Sequence, residues 1–311
     1  MSAHTDQSRR ATPGDWALFA ALVAIGGSSF AFIRIAVESV PPAVVSIGRL
    51  WIAAIFLFVA MRAGGHRFPA TLGGATALWG PMLAVSVIGY VIPFFIFPWA
   101  QRSVESGLAG VYMAFMPLWT LGLARIFADE KLSRWKVFGF ALGFVGVIIL
   151  MGPEVAAGAS RSSALAQGGL LLATFCYAVS VVISRRAPPM HPRVFAAVTV
   201  AGAAALSTPA LMVAPAEPAP WLPLSVLSVA ILGVFHTGVA AIIIFALVQR
   251  VGAGFMSLAN YLTPVFAVVV GAVVFEERLG LNVFIALAVI LAGVAVSQRE
   301  ATTRAADQRR I

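Results

Sequence analysis

The chain has 311 residues, 60% of them hydrophobic and 11% charged, with a mean hydropathy of +0.96. Soluble folds are excluded, because no water-facing domain of this length could hide so much apolar surface. The net charge of +9 does not mark a nucleic-acid surface, since the basic residues are dispersed along the chain without interleaved aromatics. No nucleic-acid partner is therefore expected.

A spanning helix needs roughly 20 apolar residues. Ten candidate segments meet this, at about 16–37, 43–61, 76–100, 104–127, 134–151, 167–184, 194–213, 222–248, 253–275 and 281–297. The expected fold is an all-α membrane protein of ten transmembrane helices, embedded in the lipid bilayer. The first segment follows a polar tail with Arg9 and Arg10. It is too long for a signal-peptide core and lacks a small-residue cleavage site, so it should remain as a helix. Ser28 and Ser29 lie midway along it and Arg34 near its far end. Arg49 falls six residues past Ala43 in the second segment, or roughly 9 Å into the membrane at 1.5 Å per residue.

The third segment carries Gly89, Pro93 and Pro98, the fourth Gly107, Gly110 and Pro117, the eighth Gly233 and Gly238, and the ninth Gly254, Pro264 and Gly271. These four are the segments most prone to break, and broken helices at the midplane are where transporters bind solutes. Pro117 cannot donate to the carbonyl of Met113, nor Pro264 to that of Asn260. Each freed carbonyl suits a substrate ammonium or a water, or is satisfied by a neighbouring side chain at a simple kink. Gly139, Gly143 and Gly146 in the fifth segment are spaced for close helix packing. Cys176, the single cysteine, lies in the sixth and reads as a packing residue.

Pro117, Glu130, Leu132 and Gly146 recur 147 residues later as Pro264, Glu277, Leu279 and Gly293. The chain is thus a duplication of two five-helix units. Of its 21 Lys and Arg residues, sixteen lie in the tails and the even-numbered loops, which places both termini in the cytoplasm. Five spans per unit then make the second unit enter upside down, as an inverted-topology repeat. The expected organisation is an N-terminal tail at 1–15, a first repeat at 16–151, an outer linker at 152–166, a second repeat at 167–297 and a C-terminal tail at 298–311.

The run Gly27-Ser28-Ser29-Phe30 with Arg34, then Pro41-Pro42, Arg49, Ala100-Gln101-Arg102, Pro117, Glu130 and Leu132, resembles the EamA family of the drug/metabolite transporter superfamily. The second half repeats the pattern with Tyr177, Ser184-Arg185, Gln249-Arg250, Gly252, Tyr261, Pro264, Glu277, Leu279 and Gly293. Gly26 stands where such proteins often carry Trp, and Tyr177 occupies the related place in the sixth segment. The resemblance implies a small-solute carrier of the inner (plasma) membrane, often an exporter of amino acids or related metabolites.

The candidate substrate-binding residues are His236, Asn260, Tyr261, Ser28, Ser29, Arg49, Tyr90, Met113 and Tyr177. His236 is an intramembrane ionisable group near the centre of the eighth segment, and its ordinary pKa of about 6.5 suits reversible protonation, with protons as the coupling ion to consider. A neutral histidine bonded to a neighbouring helix is the structural alternative. Asn260 and Tyr261 offer an amide and a hydroxyl, either to solute or as interhelical glue. Ser28 and Ser29 could bind solute or back-bond to their own helix. Arg49 could pair with a substrate carboxylate, reach the headgroups, or pair with Glu38. Tyr90 and Tyr177 lie deep enough to line a cavity, whereas Trp99 reads as an interfacial residue and Arg34 as a boundary anchor. Glu130 and Glu277 sit at membrane boundaries, where a negative charge favours a helix N-terminus.

None of the 12 acidic residues lies deep in a segment, so a carboxylate relay is not expected. No nucleophile–base pair, carboxylate pair or H-E-x-x-H pattern is present. Neither enzymatic activity nor a metal or cofactor is expected. Transport by alternating access is the leading reading, with export ahead of uptake, and a receptor or channel is the reading from another class. A monomer suffices for a ten-span carrier.

Overall fold

The computed structural model describes residues 11–68, 76–127, 134–156, 161–187, 190–212, 220–251, 253–256 and 258–308. The first span, α1 (Pro13–Ala36), begins at a capping box in which Asp15 accepts from the Thr12 amide at 3.0 Å and the Thr12 hydroxyl accepts from the Asp15 amide at 3.4 Å. Pro13 fits the first helical position because its missing N–H has no partner to lose there. Then come α2 (Pro42–Ala63), α3 (Thr76–Ala84, Val85–Val91, Ile92–Ala100), α4 (Ser106–Met113, Met116–Phe127) and α5 (Arg134–Ala156). The second half consists of α6 (Arg161–Arg186), α7 (Pro192–Ser207, extended by Thr208–Met212), α8 (Pro223–Ile231, Leu232–Val239, Ala240–Val251), α9 (Ala253–Met256, Ala259–Val274) and α10 (Leu281–Gln308). Among the described residues, eight helices are long and apolar enough to cross a bilayer by themselves, and Ala259–Val274 and Leu281–Ser297 are shorter apolar helices. Large side chains such as Ile55, Ile148 and Val273 stay more than half exposed, as lipid-facing positions should.

Helices α3 and α8 widen at corresponding places. The middle pieces, Val85–Val91 and Leu232–Val239, are π-helical and start 147 residues apart, the offset that relates Pro117 to Pro264. In each, the amide just past the segment donates five residues back, Ile92 to the Val87 carbonyl and Ala240 to that of Phe235. In α3 the widened turn runs into Pro93, which has no N–H to continue an α ladder. Single π turns of this kind collect at functional sites.

Helix α4 breaks after Met113, where the Ala114 and Phe115 amides reach only three residues back, to Val111 and Tyr112. The ninth segment, expected as one helix over 253–275, is two pieces in the structure. Asn260 and Tyr261 consequently lie in the first turn of the longer piece, away from its middle.

The two halves interlock rather than stand side by side: α1 packs on α8 and α9, α2 on α7 and α8, and α5 on α10. The α5–α10 crossing depends on glycine. A Cβ on Gly293 would stand 2.6 Å from the Gly139 carbonyl oxygen, and one on Gly146 the same distance from Ile290. The packing role expected for Gly139, Gly143 and Gly146 is what these contacts show.

Glu277 also joins the halves. Its carboxylate accepts from the Ser106 amide and hydroxyl, both at 2.7 Å, and from the Gly107 amide at 2.9 Å. The charge does sit at a helix N-terminus, but that of α4 in the other repeat rather than of the helix that follows it in sequence. Glu130 lies outside the described residues. Charge-assisted bonds to backbone amides are each worth about 1.5–3 kcal/mol. Glu277→Ala is therefore expected to lower the unfolding midpoint measured in detergent, at a net cost of about 2–3 kcal/mol; an unchanged midpoint would remove the clamp assigned here.

At the end of the bundle where α1 begins and α2 ends, His66 and His191 stack with ring centroids 3.7 Å apart. Asp15 pairs there with Arg250 at 3.6 Å. Burial, then the neighbouring His66 and Arg193, hold the His191 pKa below its ordinary 6.5.

Candidate functional site

The widened turn of α8 presents two consecutive polar side chains to two helices of the first repeat. His236 Nε2 lies 3.1 Å from Ser28 Oγ on α1, and Arg49 on α2 donates through Nε to Thr237 Oγ1 at 2.9 Å. Both side chains of the turn also reach carbonyls five residues back, His236 Nδ1 to Ile231 at 3.3 Å and the Thr237 hydroxyl to Leu232 at 3.1 Å. The wide pitch brings carbonyls five residues back, rather than the three or four of an α turn, within reach of these side chains. Close approach of α8 to the first repeat needs Gly233, where a Cβ would meet Ile52 at 2.6 Å.

Ser28 donates to the Ala24 carbonyl at 2.6 Å, which uses its only proton. Its oxygen is then an acceptor, so Nε2 of His236 carries the hydrogen in that arrangement. Nδ1 is left facing the Ile231 oxygen, and a proton arriving at Nδ1 would turn that contact into a donated hydrogen bond. The Phe32 ring, 5.0 Å from the imidazole, covers one side.

Arg49 is buried, with 8% of its surface exposed, and its guanidinium lies 4.1 Å over the Phe94 ring. Phe94 is held in place by its own backbone. Pro98 cannot donate to the Phe94 carbonyl, and Ser46 on α2 does so instead at 2.6 Å. Tyr90, Tyr177 and His236 all lie within electrostatic reach of Arg49. Tyr90 makes an edge contact with Phe94 at 5.6 Å, and Tyr177 stacks with Phe97 at 6.2 Å. Neither reach to the headgroups nor pairing with Glu38 describes Arg49: it is buried, and among the described contacts its hydrogen bond goes to Thr237.

The structure thus brings together Ser28, Arg49, Tyr90, Tyr177 and His236. Among the described contacts, Ser29, Asn260, Tyr261 and Met113 make no side-chain hydrogen bond to this cluster; Asn260 is exposed, and Tyr261 and Met113 pack against the main apolar core. Arg34 donates to the Gln101 carbonyl at 3.1 Å, which ties the ends of α1 and α3. Thr237 and Phe94 were not singled out from sequence. Thr237 could have been, because it stands 147 residues after Tyr90 and next to His236.

Ten apolar spans, paired widened turns and a polar cluster buried between repeats define a helical membrane protein of the inverted-duplication transporter type. The chain belongs to the EamA-like transporter family, whose description matches residues 13–152 and 165–298. It is 28% identical over 291 residues to the "Uncharacterized inner membrane transporter YedA" of Escherichia coli (strain K12), covering 92% of this chain and 90% of that one. Over 147 residues, 47% of this chain and 46% of the relative, it is 28% identical to a protein of Streptantibioticus cattleyicolor named "Probable terminal-alkyne amino-acid exporter". A solved crystal structure at 20% identity superposes with a TM-score of 0.62 over 94% of this chain and 99% of the other, which shows the shared fold.

Proposed function

We propose that this transporter is a secondary carrier of the inner membrane that moves a small organic solute, an amino acid or related metabolite, by alternating access and in the direction of export. The observation that carries the reading is the pair of hydrogen bonds from one widened turn to two helices of the other repeat, His236 to Ser28 and Thr237 to Arg49. Both lie inside long apolar spans, at the middle of α8, and both would have to be exchanged when the repeats move against each other. The interlocked packing favours local bending at the π turns over rocking of two intact halves. His236 handles the coupling proton in this scheme, at Nδ1 beside the Ile231 carbonyl. The distribution of Lys and Arg supports cytoplasmic termini, and the resemblance to a named amino-acid exporter supports the direction.

The test is an untargeted comparison of external and internal metabolites in cells expressing the protein and in cells with an empty vector. One amino acid or related metabolite should rise outside and fall inside. Accumulation inside would reverse the direction to uptake, and no change for any solute would overturn the transport reading.

A further inference from the structure

The cluster is built asymmetrically on a symmetric frame. Ile52 faces Gly233 across one inter-repeat contact, and Ser86 faces Gly202 across the other. The same relation sets Arg49–Thr237 against Thr199–Tyr90, the latter a neutral pair of side chains within hydrogen-bonding reach of each other. Each repeat therefore supplies one bridge between its own widened turn and a helix of its partner, but only one bridge is charged. The duplication has been edited at this point, with a guanidinium in one repeat where the other has a hydroxyl.

That guanidinium is incompletely satisfied by the protein. Nε bonds Thr237 and the flat face rests on Phe94, yet among the described contacts the terminal nitrogens carry no hydrogen bond and no carboxylate pairs with Arg49. The side chain is more than nine-tenths buried. A buried charge without a counter-ion is strongly unfavourable, and the missing counter-ion cannot come from elsewhere along the spans. Among the described residues Glu38, Glu105, Glu276 and Glu277 all lie at helix ends, and Asp15 is paired with Arg250.

Resting on the transport reading above, and selecting its related metabolites over the amino acids themselves, we infer that the solute is a carboxylate anion that brings no ammonium group, its carboxylate paired in a bidentate fork with Arg49 and its apolar body lying among Tyr90, Phe94 and Tyr177. The planar fork of Arg matches a carboxylate and leaves its face free for the ring. A zwitterion fits less well, because its ammonium would lie a few ångströms from the Arg49 charge in a region without a carboxylate to offset it. A cationic amine is repelled outright. Because the charge occurs once and not twice, the solute binds in a single orientation, with its carboxylate towards α2 and α8.

The experiment uses the full chain purified in detergent and measures its thermal unfolding midpoint against a matched panel: phenylacetate, phenylacetamide, phenylalanine and phenethylamine, then hexanoate and leucine, with sodium chloride at equal ionic strength. The carboxylates should raise the midpoint and reach half-effect at a concentration at least about tenfold lower than the zwitterions, the factor that a difference of one good interaction gives. The amide, the amine and chloride should leave it unmoved. Arg49→Gln should abolish the carboxylate shift, and Arg49→Lys should retain a weakened one. Should Arg49→Gln fail to fold, the wild-type comparison of phenylacetate with phenylacetamide and phenylalanine still decides. The inference is overturned by a zwitterion or amine that acts as strongly as its carboxylate partner, by chloride alone reproducing the shift, or by no carboxylate producing one. Any of these leaves the metabolite-flux test of transport untouched, so the two readings fail separately.

Discussion

Replacing His236 with Ala leaves a protein that folds and reaches the membrane but whose solute flux falls on the order of tenfold or more, the loss of about 1.4 kcal/mol that one buried hydrogen-bonding group supplies. The imidazole is half-buried, with Phe32 as its ring neighbour at 5.0 Å. Its hydrogen bonds are to Ser28 and to a backbone carbonyl that a water can reach once the ring is gone. Stability should therefore change modestly while transport changes strongly. A flux measurement in vesicles across a pH series separates the two proposed roles of the ring. His236→Gln, which can still donate towards Ser28 but cannot take up a proton, should recover part of the flux at one pH and none of its pH dependence. Normal flux with normal pH dependence in His236→Ala would remove the midplane site.

The largest effect on folding is expected at Gly293. Gly293→Val puts a branched side chain where even a Cβ would approach the Gly139 carbonyl at 2.6 Å and the Gly143 amide at 2.8 Å. Both neighbours are backbone, so no rotamer can relieve the clash and α5 and α10 must separate along their length. Over-packing in a close-packed interior costs about 1–3 kcal/mol when side chains can yield, and this site lies at the upper end or beyond. Size-exclusion profiles of a fluorescent fusion should show loss of the monodisperse peak for Gly293→Val and its retention for Gly168→Val, since a Cβ at Gly168 meets nothing within 4 Å. Equal profiles for the two variants would contradict the crossing described here.

The membrane class and the duplication were legible in the sequence because both are one-dimensional signals. Apolar run length is set by bilayer thickness, and a copied segment keeps its spacing, so the 147-residue offset from Pro117 to Pro264 survives in the chain itself. The same offset locates the second widened turn once the first is known. The polar residues in the spans were also conspicuous: His236 and Arg49 stand out in any apolar stretch because lipid makes them costly.

Which of those polar residues meet was decided only by tertiary structure. Asn260 and His236 look alike in sequence, as polar side chains near glycine and proline. The turn at Leu258 leaves Asn260 in the first turn of the helix that follows, while the π turn of α8 aims His236 at Ser28. Glu277 shows the same limit from the other side. Its charge and its place at a span end were readable, but the helix it caps begins 171 residues earlier, at Ser106. Helix pitch, and with it the direction of a side chain, depends on which carbonyl each amide selects, and that selection is made by packing against helices distant in sequence. The chain by itself determined how many helices there are and which groups are too polar for lipid; the packing of one repeat against the other decided which of those groups share a site.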